Sequence, residues 1–135
     1  MKQDFAAARV VFGCGAAVVQ LPCAGVVDRF LTTEGELSAW LKDQNPIADY
    51  LCRNTIREAE SYAKGKAWSR VIWDVTAVAW LLNDNNRFLA SRIVPSPIPT
   101  DEGVYEFPTD RPPMCYVHYV NRDALFTDLF QKLTK

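Results

Sequence analysis

The residues most able to do chemistry sit in one short run, Val71-Ile72-Trp73-Asp74-Val75. An apolar segment delivers an indole and a carboxylate to the start of a second apolar stretch, Asp74 to Leu82. Two readings follow from local physics. Asp74 can cap a helix, accepting free backbone N–H groups at the positive end of the dipole. Its carboxylate can also hold a hard cation such as Ca²⁺, with Trp73 offering a flat face on which a ring such as a nucleobase stacks. A calcium ion takes about six to eight oxygens, so one carboxylate does not make a site.

Other reactive types are sparse. The four cysteines, Cys14, Cys23, Cys52 and Cys115, form no C-x-x-C pair, and His118 is the one histidine. A zinc centre or a Cys–His nucleophile has little to build on, and four reduced, mostly buried thiols are expected. His118 reads as an ordinary strand residue. Glu34, Glu36, Glu58 and Glu60 read as solvated faces. Asn83 to Asn86 lacks the glycine and closing glutamate of a calcium loop and reads as a turn. Trp40, Trp68 and Trp80 read as core. Gly13-x-Gly15 lacks a third glycine and a preceding strand, so it is no dinucleotide motif.

The elements that must position these groups follow from punctuation and periodicity. Six of the eight prolines lie after residue 94 and all four tryptophans between 40 and 80. The first two-thirds therefore reads as mainly helical, and the remainder as strand and turn ending in a helix. Asp4 to Phe12 is a short helix stopped by Gly13 and Gly15. Ala17 to Leu21 is β-branched and apolar on both faces, as in a covered parallel sheet. Gly35 to Lys42 suits a short helix. Asn45-Pro46 starts another, with an apolar stripe at Ile47, Leu51, Thr55, Ala59 and Tyr62 and a stop at Gly65. Asp74 to Leu82 carries no charge after its first residue and reads as a buried helix. Arg87 to Val94, Val104 to Phe107 and Cys115 to Val120 read as strands, with the proline-rich 95–99 irregular or at an edge. Asn121 caps a last helix striped by Leu125, Phe126, Leu129, Phe130 and Leu133.

Composition bounds the class. The 135 residues are 49% hydrophobic, with net charge −1. That suffices for a core and gives no electrostatic basis for nucleic-acid binding. No apolar run approaches the eighteen or so residues of a membrane span. Met1-Lys2-Gln3-Asp4 is unlike a secretory signal, so a cytoplasmic location is expected.

In combination, three blocks resemble the C-terminal portion of the inosine/uridine-type nucleoside hydrolases. They are Asp4-Phe5-Ala6-Ala7-Ala8 with Val10-Val11-Phe12, Val18 to Pro22, and the specific stretch Ile72-Trp73-Asp74-Val75-Thr76-Ala77-Val78-Ala79-Trp80-Leu81-Leu82. Asn121 to Phe126 is similar to the family's closing helix. The resemblance implies an α/β fold: part of a Rossmann-like parallel sheet with helices, a small strand-rich extension and a closing helix, with residues 1–135 as a single partial domain. It implies hydrolysis of the N-glycosidic bond of ribonucleosides to ribose and free base, with Ca²⁺ as cofactor. Asp74 falls on the late metal-binding aspartate. Trp73 stands where one branch carries a histidine acid and a purine-preferring branch carries tryptophan. Tyr62 aligns loosely with the base side of the pocket.

The family's Asp-rich motif, D-x-D-x-G-x-D-D, has no counterpart here, nor does its Glu-Phe-Asn ribose-binding segment. The general base is therefore missing, a factor of roughly 10²–10⁴ in rate. No catalytic residue is assigned, and the chain alone is expected to be inactive. Its expected partners are a nucleoside in the intact enzyme and either a second copy or a missing N-terminal half that meets the cut face. A non-catalytic truncated remnant and a split-enzyme half are the alternatives.

Overall fold

The structure, a computed structural model, describes residues 4–135. The expectation placed on Met1 to Gln3 lies outside the described residues. Helix α1 (Phe5–Gly13) begins where the Asp4 carboxylate accepts the Ala7 N–H at 2.8 Å. It leads to β1 (Val19–Gln20), a 3₁₀ turn at Val27–Arg29, β2 (Leu31–Thr32), α2 (Glu34–Leu41) and α3 (Pro46–Ala63). After β3 (Arg70–Val71) come α4 (Val75–Leu81), β4 (Leu89–Pro95), β5 (Ile98–Pro99), β6 (Tyr105–Glu106), β7 (Pro113–Val120) and α5 (Arg122–Leu133).

The main sheet has the order β1-β7-β4. β1 runs parallel to β7, and β4 runs antiparallel to it. The fold is thus mixed α/β, with parallel pairing confined to one short strand. The expected strand at Ala17 to Leu21 contracts to two residues, and Val19 is exposed, because β1 lies at the sheet's edge. The β4–β7 ladder carries an irregularity. Ala90 faces Tyr119 and Ser91 faces Val117, so His118 is an extra residue with no partner across the ladder. A second ribbon pairs β2 with β3, and a third pairs β5 with β6. The proline-rich segment is an edge, as its missing donors require.

One core joins the sheet to α2, α3, α4 and α5. Phe30, Phe126 and Phe130 stack at its centre, with ring centroids 4.0 and 5.2 Å apart. The stripe on α5 is read correctly, with Leu125, Phe126 and Phe130 buried. On α3 it is rotated. Ala59 is buried as expected, but Ala48 and Cys52 are the residues that join the core, with Ile56 against it, while Ile47 is 66% exposed. Small side chains let α3 approach closely, so the larger apolar ones are left outside. Asn45 holds both ends of this packing: its oxygen caps α3 and its amide donates to the Leu133 carbonyl at 2.7 Å.

α4 departs most from expectation. Thr76 and Ala79 are buried, whereas Val78 is exposed and Leu81 is 81% exposed. A charge-free sequence does not bury itself, and no described element covers that face. The cysteines divide as well: Cys52 is buried and Cys115 half-buried, but Cys14 and Cys23 are exposed. Trp68 and Trp80 lean on the core, while Trp40 stacks on Phe130 with its other side exposed. Asn83 to Asn86 is a turn, held by the Asn83 side chain, which accepts the Phe88 and Leu89 N–H groups.

Of the glutamates expected to be solvated, Glu34, Glu58 and Glu60 are exposed and Glu36 is half-buried. Glu58 meets Arg70 at 3.1 Å, and Glu36 binds the guanidinium of Arg122. Arg122 also donates to the Leu31 carbonyl at 2.7 and 2.9 Å and to Asp123 at 2.9 Å, and it lies 4.5 Å over the Phe126 ring. The buried Thr32 hydroxyl donates to the same Glu36 oxygen at 2.8 Å. Burial opposes the charge on Arg122, but its hydrogen bonds to Glu36 and Asp123 outweigh that, and its pKa lies above the usual value. Arg122→Ala removes both side-chain donors from the Leu31 carbonyl and leaves Glu36 with the Thr32 hydroxyl but no cation. It should lower stability by about 1–3 kcal/mol in urea unfolding, whereas Leu81→Ala should change it by under about 0.5 kcal/mol.

Candidate functional site

Trp73 and Asp74 occupy the turn between β3 and α4. β3 is fixed by its ladder, in which Leu31 faces Val71 and Thr32 faces Arg70, and the Ile72 N–H donates to the Phe30 carbonyl at 3.1 Å. The chain then turns. The Thr76 hydroxyl donates to the Trp73 carbonyl at 2.8 Å, and the Ala77 N–H to the Asp74 carbonyl at 3.1 Å. Trp73 and Asp74 are therefore presented in succession just beyond the carboxyl end of β3. Both are exposed, Trp73 by 43%.

The capping expectation fails for a geometric reason. Asp74 has φ −78° and ψ −21°, already helical, and its side chain makes no capping hydrogen bond. A cap residue needs extended backbone to bring its oxygen over the first N–H groups. The Thr76 hydroxyl secures the turn instead, so the Asp74 carboxylate is not used up by the fold.

Tyr62 lies in the last turn of α3, where its hydroxyl accepts from the guanidinium of Arg70. Arg70 also sits 5.6 Å over the Tyr62 ring and meets Glu58. Tyr62 is thereby tied to β3 three residues before Trp73. Arg70 is the member of this group that sequence reading missed. A signal existed, since Glu58 and Tyr62 are one helical turn apart and share a face.

Among the described residues no three His, Cys, Asp or Glu side chains converge in a way that could hold a metal. Asp74 is one carboxylate, and the described residues do not fit a self-contained Ca²⁺ site. Two concavities lie elsewhere. One, of about 390 Å³, is bordered by Glu34, Glu60, Lys66 and Trp68. The other, of about 250 Å³, lies between the loop after β1 and the end of β7. Trp73, Asp74 and Tyr62 line neither. Because Asp74 does not cap, Asp74→Ala should alter the unfolding free energy by less than about 0.5 kcal/mol; a loss of about 1 kcal/mol or more would mean that it does.

No family model matches the sequence, and no curated protein does. Among solved structures the chain is similar to a plant nucleoside hydrolase, the PpNRh1 enzyme, with a TM-score of 0.75 and 20% identity. The likeness covers 98% of this chain and 46% of that one, so the chain spans about half the length of the structure it matches. What this identity establishes is the architecture: the described residues have a nucleoside-hydrolase-like α/β fold.

Proposed function

We propose that this chain supplies the base-stacking and late-aspartate wall of a nucleoside hydrolase site and does not turn over substrate alone. The observation that carries this reading is the uncommitted Asp74 carboxylate, exposed beside Trp73 at a strand–helix turn, in a chain with this fold. In the proposal the indole of Trp73 stacks on a purine, which favours protonation and departure of the base. Asp74 faces the sugar as an acceptor, and Tyr62 borders the base side, held by Arg70. Calcium belongs to the intact enzyme of this reading, whose other oxygen donors are not among these residues. The sequence contains no Asp-rich motif to activate water. The location that goes with this reading is the cytoplasm, where exposed Cys14 and Cys23 stay reduced.

A second reading, a split-enzyme half, is favoured by the exposed charge-free face of α4. A complementary segment carrying the Asp-rich motif, or a second copy, would cover it. Ribose release from inosine, adenosine and uridine, measured with Ca²⁺, tests both. The chain alone should release no more ribose than its Asp74→Ala variant. Co-expressed with a polypeptide bearing the Asp-rich motif, it should gain purine nucleoside hydrolysis that Asp74→Ala abolishes. Activity of the chain alone would overturn the non-catalytic part of the proposal. Complemented activity indifferent to Asp74→Ala would overturn the site.

A further inference from the structure

We propose that the concavity between the loop after β1 and the bulged end of β7 binds the phosphate group of a small phosphorylated compound. Its lining residues are Gly25, Val26, Arg29, His118, Tyr119 and Val120. This is independent of the nucleoside reading and shares no residue with it.

The first argument is position. β1 and β7 run parallel, with Gln20 facing Tyr116. Gly25 to Arg29 follow β1, and His118 to Val120 close β7. The concavity therefore lies beyond the carboxyl end of β1 and at that of β7, on the side where open α/β sheets hold ligands.

The second argument is the bulge. An unbroken strand sends successive side chains to opposite faces, yet His118 and Tyr119 are both exposed. His118 is the extra residue of the ladder, opposed by nothing on β4. Such bulges re-aim a side chain, here into the lining of the concavity.

The third argument is chemistry. Arg29, His118 and Tyr119 can all donate hydrogen bonds, and no carboxylate lines the space. The Arg29 guanidinium makes no hydrogen bond or ion pair among the described residues, whereas those of Arg9, Arg70, Arg87 and Arg122 each hold a carboxylate. The neighbouring Asp28 is turned into the loop: one oxygen accepts the Gly25 N–H at 2.8 Å, and the other is buried. Gly25 has φ +80°, and a Cβ built on it would meet nothing within 4 Å, so the loop leaves open space there. A planar guanidinium and an imidazole lining one concavity suit a phosphate oxyanion. About 250 Å³ is below the usual range for drug-sized ligands and fits a phosphate with a sugar-sized body.

The test is an NMR titration of the labelled full chain at constant ionic strength, using inorganic phosphate, ribose 5-phosphate and acetate. Both phosphates should give saturable shifts at the Gly25 amide and the His118 ring, and acetate should not. Tighter binding of ribose 5-phosphate would identify a phosphorylated sugar as the source, and equal binding free phosphate. Arg29→Ala and His118→Gln should each weaken binding by about tenfold or more, with the remaining resonances in place. Arg92→Ala, outside the lining, should leave it unchanged. Non-saturating shifts, or unaltered affinity in a folded Arg29→Ala protein, would overturn the site.

Discussion

The guanidinium of Arg122 is the joint on which the arrangement rests. It stands at the start of α5, yet its partners are the Leu31 carbonyl of β2, Glu36 of α2 and the ring of Phe126. A hydrogen bond to a charged donor is worth more than a neutral one, and here two go to one carbonyl. That carbonyl belongs to the residue paired with Val71, two positions before Trp73. The placement of the Trp73–Asp74 turn therefore depends on a side chain near the far end of the sequence. Thr32, fully buried in the same ribbon, reinforces the joint through the shared Glu36 oxygen.

What was legible in the sequence was local. Asn45 and Asn121 announce helix starts because a side-chain amide satisfies N–H groups two or three residues on, and nothing distant competes. The stripe on α5 was legible because its large residues meet large partners, Phe30 among them. The stripe on α3 held at Ala59 and misled elsewhere, because that helix joins the core through Ala48 and Cys52, small residues off the expected stripe. The pairing of Glu36 with a residue 86 positions away has no local trace. The bulge at His118 is likewise a matter of register between two strands, invisible from either one.

The candidate site was legible in part. The Trp73–Asp74 pair stands at a strand-to-helix turn, as the switch from an apolar run to a charge-free one implies. That Asp74 does not cap was not legible, because it depends on the backbone angle of one residue and on Thr76 taking over the turn. The burial of α4 failed as an expectation for a related reason. Hydrophobicity states what a face would gain from cover, and the cover must come from a separate element.

The pairing of β1 has a kinetic side. Its two residues gain ladder partners only at Cys115 and Tyr116, far along the sequence and after every other strand has been made. Closing so long a loop carries a large entropic barrier and rewards it with few bonds. On the ribosome the segment around Val19 must therefore wait, unpaired, until Cys115 and Tyr116 have emerged. Its docking cannot precede the synthesis of β7, so this edge of the sheet is completed late.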